Sequence, residues 1–151
     1  MRRLPRSRRH PHFSGPALAA ELARVRIGYS HHLDLGGMRA PHPDSENRAL
    51  REEAFRGYAD HMGTAEFERA LDQVIARARG IRVAILCAEA DPAHCHRRLI
   101  ADVLAARGAT VLHIRGPDPA EPHRMSPEAR VSGGRVTYPA PDLFGAEPTG
   151  G

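Results

Sequence analysis

The sequence predicts an α/β protein: a parallel sheet flanked by helices, followed by an irregular Pro/Gly-rich C-terminal tail. Three observations predict it. RVAILC (82–87) and ATVLHI (109–114) are short, continuous apolar runs of the kind that fill buried parallel strands. Residues 95–107 between them carry apolar side chains at helical spacing, so strand, helix and strand follow one another as a right-handed βαβ unit. The length of 151 residues, 41% of them apolar, suits one domain with a packed core.

The elements follow in chain order. Residues 1–13, MRRLPRSRRHPHF, are polar and broken by Pro, so they form a loop. Ser14 and Pro16 open a helix over 14–25, with Leu18, Leu22 and Val25 on one face. IGYSHHL (27–33) reads as a short strand, and 34–47, with Gly36-Gly37 and two Pro, as a loop. A helix over 48–62 aligns Leu50, Phe55, Tyr58 and Met62, and Gly63 ends it. Thr64 caps the next helix, 65–79, whose Phe67, Ala70, Leu71, Val74, Ile75 and Ala78 keep the helical period. The strand 82–87, the loop 88–94, the helix 95–107 and the strand 109–114 complete a single α/β domain over 1–115. Residues 116–151 hold seven Pro and six Gly and read as an irregular tail, with RVTYP (135–139) as one short strand or packing strip.

Charge and cysteine content narrow the function. Every one of the 22 basic residues is Arg. Five of them, Arg2, Arg3, Arg6, Arg8 and Arg9, fall in the first nine residues, and the other 142 residues balance 17 Arg against 18 acids. A near-neutral body with one basic loop excludes a general nucleic-acid coat and leaves a local anion site. No apolar run reaches the roughly 18 residues that a membrane span needs, and the charged N-terminus lacks the apolar stretch of a signal peptide. The expectation is a cytoplasmic protein. Two cysteines, Cys87 and Cys95, are too few for a disulfide scaffold and point to free thiols, a metal or catalysis.

The informative segment is ILCAEADPAHCHRRLIADVL (85–104). Cys87 ends the expected strand, and Cys95 and His96 open the next helix. Ligands of open α/β sheets bind at such strand ends, where helix N-termini favour anions and lower a thiol's pKa. One loop thereby collects two thiols, His94 and His96, the carboxylates Glu89 and Asp91, and the guanidinium of Arg97, with Arg98 beside it. Three readings compete. The first is a nucleophilic Cys activated by the helix end and a His. The second is a metal held by Cys87, His94, Cys95 and His96, which the divergence of adjacent side chains and the usual two-to-four-residue ligand spacing oppose. The third is a buried structural Cys with a solvated helix start. No phosphate loop, dinucleotide fingerprint, zincin or serine-elbow motif is present, and a Cys-x5-Arg phosphatase loop fails because Ala93 stands where its Arg would be. Two further segments carry polar clusters: RSRRHPHF (6–13), a rigid electropositive loop, and HHLDLGG (31–37), with His31, His32 and Asp34.

PRSRRHPHF (5–13), YSHHLDLGG (29–37), FRGYADHM (55–62) and above all LCAEADPAHCHRRLIADVL (86–104) with VLHI (111–114) resemble the bacterial and archaeal domain of unknown function 488 family. The resemblance covers about 2–115, and YPAPDLFG (138–145) is similar to the family's tail. It implies a compact α/β protein with a parallel sheet and polar residues gathered at one sheet edge. The matching positions are Arg6, Arg8, Arg9, Pro11, Phe13, Leu35, Gly36 and Gly37, then Cys87, Glu89, Cys95, His96 and Arg97. In the family a strand, a helix and a second strand ending in Asp-Val-Arg precede the basic loop, whereas here Met1-Arg2 stands at the Val-Arg position. The expectation is a start assigned too late, with a GTG valine codon read as the initiator.

The expected function is that of an enzyme acting on an anionic ligand, phosphorylated or nucleotide-like. Arg6, Arg8, Arg9 and Arg97 hold the anion, Cys87 or Cys95 is the nucleophile or redox thiol, His96 is the acid/base and Glu89 orients it. Cys95 is the more reactive thiol on this reading because it lies at the helix start. The rival is a non-enzymatic nucleic-acid- or metal-binding module. No cofactor and no oligomeric state can be read from the residues.

Overall fold

A computed structural model describes residues 10–89 and 91–141. Four helices carry the fold: α1 (Gly15–Arg24), α2 (Glu53–Met62), α3 (Ala65–Ala78) and α4 (Arg97–Ala106). Four short strands follow α4 in two hairpins: β1 (Leu112–His113) with β2 (Glu121–Pro122), and β3 (Arg130–Ser132) with β4 (Arg135–Thr137). Both pairs are antiparallel, with Leu112 opposite Pro122 and Val131 opposite Val136.

The parallel sheet of the sequence reading is not formed. Residues 82–87 form neither helix nor strand and pair with no strand among the described residues, and Val83 and Leu86 are exposed. Residues 109–114 contribute only Leu112 and His113 to a ladder, and their partner is the chain that returns after Gly116 and Pro117, not 82–87. The physical reason is that an apolar run names no partner. A strand exists only where a second strand takes up its N–H and C=O groups. Here the 115–120 turn brings a partner to 112–113 from the C-terminal side, in antiparallel sense. Residues 27–33 likewise form no strand, and Leu33–Leu35 make one 3-10 turn.

α2, α3 and α4 bury their periodic apolar faces, whereas α1 buries only Gly15 and leaves Val25 exposed. Phe67, Ala70, Leu71 and Val74 are the buried face of α3, and Thr64 Oγ1 accepts the Phe67 N–H at 3.3 Å as its cap. α2 starts five residues later than the spacing predicts. Residues 47–49 are drawn off into pairing with the C-terminal segment: Ala49 N–H donates to the Tyr138 carbonyl at 3.0 Å, and Tyr138 N–H to Asn47 Oδ1 at 2.9 Å. The residues after 116 are thus not irregular throughout. Val136 and Tyr138 are buried in the core with Tyr58, Phe67, Leu71, Leu99 and Ile100.

Two carboxylates organise the polar interior. Asp102, fully buried on α4, accepts from His123 Nε2 (2.8 Å), Ser126 N (3.0 Å), Ser126 Oγ (2.6 Å) and the Tyr138 hydroxyl (2.7 Å). His113 extends this chain, its Nε2 standing 2.9 Å from His123 Nδ1. Burial, then the adjacent Asp102 charge, pushes the Tyr138 hydroxyl well above the ordinary tyrosine range, so it stays a donor. Asp60, on α2, takes the His42 N–H (2.8 Å), Ser45 Oγ (2.6 Å) and Asn47 Nδ2 (2.8 Å) and so ties down the 42–47 loop. Partial burial alone would raise the Asp60 carboxyl, but these three hydrogen bonds outweigh it and hold the carboxyl below its ordinary 3.8.

A depressed carboxyl stabilises the fold above its unfolded-state value and loses that contribution as pH falls through its folded value. The urea midpoint of the wild type should therefore exceed that of Asp60→Asn at neutral pH, and the gap should close as pH drops below about 3.8. A gap independent of pH would assign the effect to packing instead.

Candidate functional site

The site is built where the chain enters α4. Asp91 shapes the approach: its Oδ1 accepts the Ala93 N–H at 3.0 Å and caps the 3-10 turn Pro92–His94. Its Oδ2 lies 3.2 Å from His94 Nδ1, and Arg115 Nη1 reaches its Oδ1 at 3.9 Å. Cys95 leaves this turn in extended conformation (φ −129, ψ 141), and His96 turns into helix (φ −57, ψ −15). This change of backbone angle between neighbours puts both side chains on the same side, and both are buried.

Three chemical groups meet there. The sulphurs of Cys87 and Cys95 and an imidazole nitrogen of His96 lie within 4.8 Å of one another. Neither cysteine is in a disulfide. Cys95 Sγ stands 3.7 Å from His96 Nδ1 and accepts two hydrogen bonds from Arg97, from its backbone N–H and its Nε–H, each at 3.4 Å. Arg97 also donates through Nη2 to the Glu89 carbonyl at 2.5 Å, which clamps the loop to the start of α4.

The hydrogen bond with Cys95 lowers the Cys87 thiol below its ordinary range, with help from the Glu89 backbone and against the cost of burial. The same bond, together with burial, pushes Cys95 well above the thiol range, against the two Arg97 donors. The two sulphurs therefore titrate as a pair rather than singly. Burial holds the His96 imidazole down to about 4, so the ring is neutral.

The His96 ring is gripped on several sides. The Tyr58 ring lies 4.7 Å away between centroids. Gly37 covers the ring so closely that a Cβ there would stand 3.0 Å from His96 Nδ1. Gly57 performs the same service one layer out. A side chain on it would run into the Arg39 carbonyl, so its absence lets α2 press against the loop that carries Gly37. Arg39 holds that loop with bonds from Nε to the Gly36 carbonyl (3.2 Å) and from Nη2 to the Leu33 carbonyl (3.3 Å).

The cluster opens into a pocket of about 180 Å³ whose further lining includes Gly37, Met38, Glu52, Phe55, Glu89 and His94. A wider hollow of about 420 Å³ lies apart, against Pro41, His42, Arg48 and Arg56, and holds no thiol. Of the residues singled out from sequence, Cys87, Cys95, His96 and Glu89 line the small pocket, and Arg97 binds Cys95 and the Glu89 carbonyl. Glu89 Oε1 accepts the Asp91 N–H at 3.2 Å, which places this carboxylate within its own loop. Arg6, Arg8 and Arg9 lie outside the described residues. His31, His32 and Asp34 line neither hollow; His32 joins Ser30, and the Asp34 carbonyl meets His61.

The family model for a domain of unknown function, DUF488, matches residues 1–104, which includes the whole cluster. The chain belongs to the DUF488 family. No curated protein and no solved structure matches it. No described helix of this DUF488 protein is long and apolar enough to cross a membrane.

The sequence reading missed three contributors: Tyr58 beside His96, the steric role of Gly37, and the Asp102 network behind the site. A signal for the last was visible. Asp102 interrupts the run Leu99, Ile100, Ala101 and Val103, and a carboxylate in an apolar helix face needs partners from elsewhere in the chain. Gly37→Ala should press a methyl on the His96 ring and cost about 1–3 kcal/mol of stability by overpacking. Urea denaturation measures this, and a change below about 0.5 kcal/mol would show that the ring moves freely.

Proposed function

We propose that this DUF488 protein is an enzyme acting on a small anionic substrate, phosphorylated or nucleotide-like, at the pocket of Cys87, Cys95 and His96. The observation that carries this reading is the convergence of two thiols and a neutral imidazole on the wall of one pocket. Thiolate and imidazole are the electron-pair donors of covalent and acid–base catalysis. Cys87 is the reacting sulphur on this reading: it is half-buried, whereas Cys95 is 3% exposed and held from behind by Arg97. His96 is the proton acceptor. Glu89 supports the loop, and Arg97, bonded to Cys95 Sγ and the Glu89 carbonyl, adds positive charge behind the sulphur. Arg6, Arg8 and Arg9 add further anion-binding capacity from the N-terminal loop.

A space of about 180 Å³ favours a small molecule or a single terminal phosphate over a length of nucleic-acid backbone. The near-neutral charge beyond residue 9 favours the same choice. Protection from alkylation tests the reading. In chelator-treated protein, iodoacetamide should label Cys87 before Cys95. Inorganic phosphate or a nucleoside monophosphate should slow that labelling at least several-fold, and neutral nucleosides should not. Labelling that no phosphate compound slows, or that only polymeric nucleic acid slows, would overturn it.

A further inference from the structure

We propose that Cys87, Cys95 and His96 bind one zinc-class divalent cation, and that this cation is what the anionic substrate meets. The proposal rests on the reading that this pocket is where the protein acts on an anion; with the ion bound, Cys87 and His96 hold it in place of acting as nucleophile and proton acceptor, and the ion supplies the positive charge.

The donor set has the dimensions of a metal site. Four-coordinate zinc, with bonds of about 2.3 Å to sulphur and 2.0–2.1 Å to nitrogen, sets its ligands about 3.8 Å apart for two sulphurs and about 3.6 Å for sulphur and nitrogen. Cys95 Sγ and His96 Nδ1 are 3.7 Å apart, and all three donors fall within 4.8 Å of one another. Small rotations about the side-chain bonds close the rest. The chemistry of the donors selects the metal. Two thiolates and an imidazole suit zinc and its neighbours and are poor ligands for magnesium or calcium.

Adjacent ligands usually diverge, and that counts against a metal in the bare sequence. The extended conformation at Cys95 followed by helix at His96 removes the objection, because it turns the two side chains to one side. The surroundings match as well. Metal-bound thiolates collect N–H donors. Here Arg97 gives Cys95 Sγ two N–H bonds at 3.4 Å, and the His96 ring is fixed between Tyr58 and Gly37.

The ligand count gives the ion a role. Three protein ligands leave a fourth position, and the cluster faces a pocket rather than a sealed core. That is the pattern of a catalytic rather than a structural zinc. The electrostatics give such an ion a further role, strengthening a hold on the anion that the protein alone makes weakly. Glu52 and Glu89 line the pocket beside the sulphurs, and that lining repels an anion. A bound dication reverses the local sign and offers the anion an open coordination position.

Metal analysis of the full-length protein tests this. Expected are one zinc per chain after purification without chelator and, on replacing it with cobalt(II), intense near-ultraviolet sulphur-to-cobalt bands with visible bands of tetrahedral shape. Cys87→Ser should remove about half of the sulphur-to-cobalt intensity while circular dichroism stays that of the wild type. Arg97→Ala, which removes one N–H donor to sulphur but no ligand, should weaken zinc about 10–100-fold. Cobalt spectra without sulphur bands, or zinc binding that survives Cys87→Ser unchanged, would overturn the proposal. If these fail while phosphate still protects Cys87 in chelator-treated protein, the enzyme reading stands without a metal. If zinc binds as described and no anion protects Cys87 or shifts the cobalt spectrum, the ion is present but its assignment as the anion's partner is overturned, together with the anionic substrate.

Discussion

A single carboxylate, Asp102, sets the conditions for the rest of the structure. It is fully buried, and an unpaired charge there would cost several kcal/mol. It is tolerated because four donors from 123–138 converge on its two oxygens. Those donors belong to a part of the chain with little apolar content of its own to bury. The carboxylate therefore does two things at once: it is solvated by hydrogen bonds from the C-terminal segment, and it anchors that segment to α4. From Tyr138 the ties continue through Asn47 to Asp60 on α2. One polar path thus joins α4, the C-terminal hairpin, the 42–47 loop and α2 around the apolar core.

The site depends on this because it sits at the other end of α4. Cys95 and His96 occupy the residues just before the helix, so their position is that of α4 itself. The opposite wall comes from α2 and the loop before it, through Tyr58, Phe55 and Gly37. Whatever fixes α2 against α4 fixes the pocket. Cys87 is the exception, since it hangs on the unpaired segment 82–87 and is held through the Glu89 backbone and its partner sulphur.

Much of this was legible in the residues, and the boundary has physical causes. The helices were readable because periodicity and capping are local: Thr64 and the face of Phe67, Ala70, Leu71 and Val74 lie within one stretch of chain. The cluster of Cys87, Cys95, His96 and Glu89 was readable because its members lie within ten residues. The sheet was not. RVAILC and ATVLHI look like strands by composition, but pairing is decided by what else the chain brings alongside, and here 112–113 pairs with 121–122. The delayed start of α2 was hidden for the same reason, since the competing partner of 47–49 is Tyr138, about ninety residues away. The convergence of Cys95 and His96 was hidden because it turns on one pair of backbone angles.

Native-state hydrogen exchange on Tyr138→Phe tests the central dependence most directly. The substitution removes one hydrogen bond to the buried Asp102 carboxylate and leaves the ring in place, a loss of about 1.5–3 kcal/mol. If α4 and the C-terminal hairpin are one unit joined at Asp102, amides of α4 and of β3 and β4 lose protection together, by that same amount. If the hairpin amides lose protection while those of α4 keep their wild-type rates, Asp102 does not hold α4 in place, and the account of how the site is positioned is wrong.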